Sequence, residues 1–141
     1  MLLNRRRVLT GLGAGILFSY RLKQLSAAAP HNLDKTPEFD ASPFQLGVAS
    51  GDPAPDGFVI WTRLAPHPLE EAGGMKRLKP VLVDWEISED ERFSTPLRSG
   101  QTIAHPELAH SVHVEVDGLQ PDRPDWYRFH IAGNESQIGR A

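Results

Sequence analysis

The sequence predicts an all-β sandwich. Three observations carry this: apolar residues recur at every second position in short runs, turn-forming pairs separate the runs, and no long stretch keeps the 3.6-residue period of a helix. The 12 prolines and 12 glycines are spread among these runs, as short strands joined by tight reversals require. A length of 141 residues suits one modest core and is short for two.

Residues 1–29 read as a cleaved export signal. A basic cluster precedes a moderately apolar segment, Val8 to Tyr20, and Ala27-Ala28-Ala29 supplies the small residues a signal peptidase accepts. The segment is shorter than the roughly 20 apolar residues that span a bilayer, so membrane contact is expected only during export. The run Asn4-Arg5-Arg6-Arg7-Val8-Leu9 resembles a twin-arginine signal. Asn4, Val8 and Thr10 depart from its usual Ser or Thr, Phe and Lys, whereas Arg21 and Lys23 after a Gly-rich stretch fit it. The expected address is periplasmic or extracellular. Residues 30–43, polar and broken by Pro30, Pro37 and Pro43, read as an extended linker.

Residues 44–141 carry the strands. Phe44 to Ser50 is the first candidate. The stretch "SGDPAPDG" that follows reads as a turn, since Pro53 and Pro55 cannot donate to a ladder and Asp56-Gly57 suits a tight reversal. In the next strand Phe58, Ile60, Thr62 and Leu64 face one way and Val59, Trp61 and Arg63 the other, with most of both sides expected to be buried. Ala65 to Pro80 is a long surface loop with room for one helical turn. Val81, Val83, Trp85 and Ile87 alternate with Asp84, Glu86 and Ser88, which are expected to face water. A less apolar strand follows at Leu97 to Ala104. Val112, Val114 and Val116 repeat the scheme opposite His113, Glu115 and Asp117, and Tyr127, Phe129 and Ile131 do so opposite Trp126, Arg128 and His130. Turn signals fall at Asp56-Gly57, Ser99-Gly100, Asp117-Gly118 and Gly133-Asn134.

Charge excludes one class of partner. All five basic residues before Asp34 lie in the leader; without them 10 basic side chains face 18 acidic ones, a net charge of −8. Such a body repels nucleic acid, whose phosphates call for clustered Lys and Arg. The sequence has no cysteine, which removes disulfides and thiolate metal sites.

Candidates for chemistry are sparse. Asp52 would serve as a metal ligand only within a cluster of carboxylates and imidazoles; the flanking prolines leave no second ligand at short spacing, and capping the turn is the stronger role. His105, His110 and His113 do not share one strand face and would need His130 from a distant strand to hold a metal, so they are expected to face solvent. Glu70-Glu71 and Glu89-Asp90-Glu91 could do acid–base work, but in polar loops they are expected to be solvated, with ordinary acidities. Trp61, Trp85 and Trp126 sit in periodic apolar strands, where core packing outweighs ligand stacking. There is no Gly-rich phosphate loop and no nucleophile elbow. No residue of this chain is therefore assigned as catalytic, cofactor-binding or metal-binding.

Three blocks, taken in order, support a family. "FQLGVASGDPAPDGFVIWTRLAP" (44–66), "VLVDWEISEDERF" (81–93) and "HSVHVEVDGLQPDRPDWYRFHIAG" (110–133) together resemble the opening of the PhoD-like alkaline phosphatases. The resemblance implies a small fibronectin/immunoglobulin-like sandwich, the N-terminal accessory domain of an exported phosphomonoesterase or phosphodiesterase. Catalysis would lie in a downstream metallophosphatase domain of the same polypeptide, its partner, with iron and calcium as cofactors held outside this chain. A different reading is a free-standing exported binding module without catalysis, gripping a carbohydrate or protein with its loops. One departure falls at Asp125, where the family usually has an aromatic that closes a tyrosine corner. An aspartate is not expected to fill that apolar niche, leaving Trp126 or Tyr127 to substitute or the corner looser.

Overall fold

A computed structural model describes residues 32–141, so the expected export leader lies outside the described part. Two antiparallel sheets pack face to face. The smaller joins β1 (Val48–Ala54), β2 (Gly57–Arg63) and β5 (Ser111–Val116), with β2 in the middle. The larger runs β4 (Pro96–Ala104), β3 (Val81–Ser88), β6 (Trp126–Ile131), β7 (Asn134–Glu135), and β8 (Gly139–Arg140) also pairs with β6. This is the all-β sandwich that alternation and resemblance imply. The only helical pieces among the described residues are short 3-10 turns at Glu71–Gly74 and Pro106–Leu108.

Burial follows the alternation. Ile60, Val112 and Val116 from the smaller sheet meet Val81, Val83, Ile87, Tyr127, Phe129 and Ile131 from the larger in one core. Its loss from water stabilises the fold by roughly 25 cal/mol per Å² of apolar surface. Thr62 is fully buried in the same row because its hydroxyl donates to the Gly47 carbonyl at 2.8 Å.

Several local expectations are corrected. The first strand begins at Val48 and runs on through Pro53 to Ala54, with a bulge between Gly51 and Ala54. Ser99-Gly100 lies within β4: Gly100 is opposite Trp85, and a Cβ there would stand 2.6 Å from the indole. Ser88 is buried, not solvated, because register shifts after Ile87 and its hydroxyl turns to the Thr95 carbonyl at 3.1 Å. The outer side of β2 is open, leaving Trp61 43% exposed. The segment ahead of β1 is tied in: Asp34 bridges to Val81, Phe44 is buried in the core, and Phe39 packs against it. The Ala65–Pro80 loop closes over that segment through Arg77–Asp34 (3.3 Å) and His67–Asp40 (3.0 Å).

Candidate functional site

Among the described residues no group of three or more His, Asp or Glu side chains comes together to hold a metal ion. Asp52 is exposed at the bulge of β1 with φ 47°, a left-handed conformation that aspartate tolerates better than most residues. The turn itself is Pro55-Asp56, between paired Ala54 and Gly57. Gly57 is required there by close approach, since a Cβ would meet the Val116 carbonyl oxygen at 2.0 Å.

The histidines scatter. His113 lies on the open face of the smaller sheet, stacked on Trp61 with ring centroids 6.1 Å apart. His110 corrects the solvent-facing expectation: it is 1% exposed, and its Nε2 lies 3.0 Å from the Lys79 carbonyl oxygen. Consecutive left-handed residues, Ala109 (φ 53°) and His110 (φ 55°), turn the chain here so that the ring points inward. His130 lies on the outer face of the larger sheet, its Nε2 2.7 Å from Glu86. Arg128 bonds the same Glu86 oxygen and also Glu135 (2.9 Å), and its guanidinium lies 4.0 Å from the Phe93 ring centroid. Burial alone would raise the Glu86 carboxyl, but bonds from His130 and Arg128 outweigh it and hold it below the usual range. This cluster is saturated with internal partners and has the character of a structural brace.

Asp90 departs from ordinary acidity. Burial would raise it, but N–H bonds from Ser94 and Arg92 dominate and lower it. Its carboxylate accepts from Arg92 N at 2.9 Å and Ser94 N at 3.2 Å, building the β3–β4 connection around one side chain. Of the tryptophans, Trp85 packs against the core as expected, Trp61 is exposed, and Trp126 is half-buried with Arg140 5.9 Å above its ring.

The least satisfied polar site is at Asp125. It is buried at 2% exposure and pinned by two backbone bonds with Ala141 (3.0 and 2.9 Å). Tyr127 takes the buried aromatic place two residues on, 6.3 Å from Phe58 and 6.4 Å from Phe129 between ring centroids. Burial drives the Asp125 carboxyl upward; Arg123 pulls it back and Glu89 pushes it further up. Arg123 Nη2 comes within 3.3 Å of Asp125 Oδ1, but the guanidinium is turned to Glu89, and Asp125 Oδ1 and Arg123 Nε are both buried without a hydrogen bond. Asp125 lines a cleft of about 460 Å³ between the β1–β2 hairpin and the segment from Leu119 to Arg123. Leu119 N–H donates to the Asp56 carbonyl at 2.8 Å and fixes the two walls together. Sequence reasoning singled out Asp125 as a departure from pattern, but not as the lining of a cleft.

Residues 9–141 match the family described as "PhoD-like phosphatase, N-terminal domain". The chain belongs to the PhoD-like phosphatase N-terminal domain family. It is 42% identical over 137 residues to "Alkaline phosphatase D" of Bacillus subtilis (strain 168), covering 97% of this chain and 23% of that protein. A solved structure titled "Structure of PhoD" superposes with a TM-score of 0.71 at 50% identity, covering 74% of this chain and 20% of the other. The chain thus spans about a quarter of the length of the curated PhoD relative it matches. The iron and calcium that the resemblance implies do not fit the residues described here, which bring no set of donors together.

Proposed function

We propose that this chain is the N-terminal accessory sandwich of an exported phosphatase that hydrolyses phosphate esters in a separate metallophosphatase domain. The observation that carries the reading is the mismatch in coverage: 97% of this chain aligns with only 23% of alkaline phosphatase D. Metal ions held by that separate domain would supply the Lewis acidity and the activated water that phosphate-ester hydrolysis needs. The sandwich contributes no reacting group; its part is to pack beside the catalytic domain. Export through the twin-arginine route, with cofactor loaded before crossing, belongs to the same reading and rests on the Arg5-Arg6 pair.

The test compares this chain with the same reading frame extended by a metallophosphatase domain. The isolated chain is expected to turn over no p-nitrophenyl phosphate and to retain neither iron nor calcium at one equivalent, while the extended protein does both. Turnover by the 141-residue chain with retained metal would end the proposal.

A further inference from the structure

The cleft at Asp125 has three features of different origin. Its walls are apolar, formed by Pro53, Pro55, Phe58 and Leu119. Its charged lining is exposed Asp122, half-buried Arg123 and buried Asp125. At its base Asp125 is buried with Oδ1 lacking a hydrogen bond, although an ionised carboxylate accepts several. Arg123 approaches this oxygen to 3.3 Å without hydrogen-bonding it, because its guanidinium is turned to Glu89, so the acceptor is left for a donor from outside.

We propose that this cleft receives a basic side chain, arginine or lysine, from the catalytic domain of the longer phosphatase, which docks there; the inference rests on that reading of the chain. The chemistry matches at each level. Such a side chain can lay its methylene stem along prolines and Phe58 while its charged head reaches Asp125. The described part of the chain carries 10 basic against 18 acidic side chains, which favours a positively charged counterpart. Ala141 lines the cleft as well, bringing the C-terminal end of the described chain to this wall. The "SGDPAPDG" stretch, otherwise only a turn, then gains a second use: Pro53 and Pro55, which have no N–H to donate, form part of the cleft wall.

The first arm of the test titrates the full chain with n-butylguanidinium chloride at fixed ionic strength, followed by amide NMR, with n-butanol as the neutral control. Saturable shifts confined to residues 51–58 and 119–125 are expected, weakened at least about five-fold in Asp125→Asn and absent with butanol. Should Asp125→Asn not fold, Asp122→Asn at the exposed edge of the lining is expected to weaken binding about two-fold. Shifts spread over the surface, equal binding of butanol, or indifference to both variants overturn the proposal. The second arm uses the extended enzyme cleaved by protease after residue 141. Asp125→Asn is expected to loosen association of the two halves about ten-fold without lowering turnover by the released catalytic half. Unchanged association in an active enzyme overturns docking at this cleft alone; an extended protein without phosphatase activity overturns the underlying reading. Self-association of the 141-residue chain that is lost in Asp125→Asn would identify a second copy as the occupant and also overturn it.

Discussion

Asp125 and Glu86 titrate in opposite senses, and their environments explain why. The Asp125 carboxyl is raised by burial, so the folded state disfavours its charged form. Its contribution is neutral below the unfolded value of about 3.9 and becomes destabilising as pH rises through the folded value. Asp125→Asn is therefore expected to match the parent in thermal midpoint near pH 3 and exceed it at pH 7; a midpoint difference that does not change with pH would refute this. Glu86 is lowered despite partial burial, because His130 and Arg128 bond its charged form. Its stabilisation is complete above the unfolded value of about 4.3 and is lost as pH falls through the lower folded value. Glu86→Gln should cost about 1–2 kcal/mol at pH 7 in urea unfolding, less in acid, since Arg128 and His130 lose the carboxylate oxygen they share and keep only Glu135.

The β1–β2 hairpin and the β3–β4 connection show what local sequence can specify. The hairpin was legible because Pro53, Pro55 and Asp56-Gly57 each restrict the backbone in a known way. Its bulge at Asp52 was not, since a bulge is a property of two strands in register. Gly57 looks like a turn glycine, yet its φ is not left-handed; what excludes a side chain is the Val116 carbonyl of the neighbouring strand. Gly57→Ala is expected to destabilise by about 1–3 kcal/mol by overpacking, with amide exchange accelerating first along β2 and β5. Ser99-Gly100 misled for the converse reason: a turn-forming pair was absorbed into β4 because Trp85 across the ladder needs the space.

The molecule as a whole is one sandwich core with its polar irregularities moved to the ends and outer faces. Phe129 is fully buried at its centre, in the middle of β6. Phe129→Ala is expected to cost about 3–5 kcal/mol, enough to unfold a domain of this size near its ordinary margin of stability; a loss under 1 kcal/mol in denaturant unfolding would show that the sheets do not share this core. The two outer faces differ. The larger sheet is braced by Glu86, Arg128, His130 and Glu135, whereas the smaller presents the Trp61–His113 stack to solvent. That asymmetry, and the cleft closed jointly by the hairpin and the chain after β5, exist only once β2 and β5 are paired.

Alternation, turn chemistry and three blocks in the order of the family they resemble sufficed to establish the sandwich, its main strands and its family, because each signal is read from residues close together in the chain. Tertiary packing alone decided that His110 points inward, that Trp61 does not, and that Asp125 is buried with an oxygen left without a hydrogen bond. Alternation along a strand marks its core-facing residues, but whether an outer face or a chain end is covered is set by what another element places over it, which that spacing does not record.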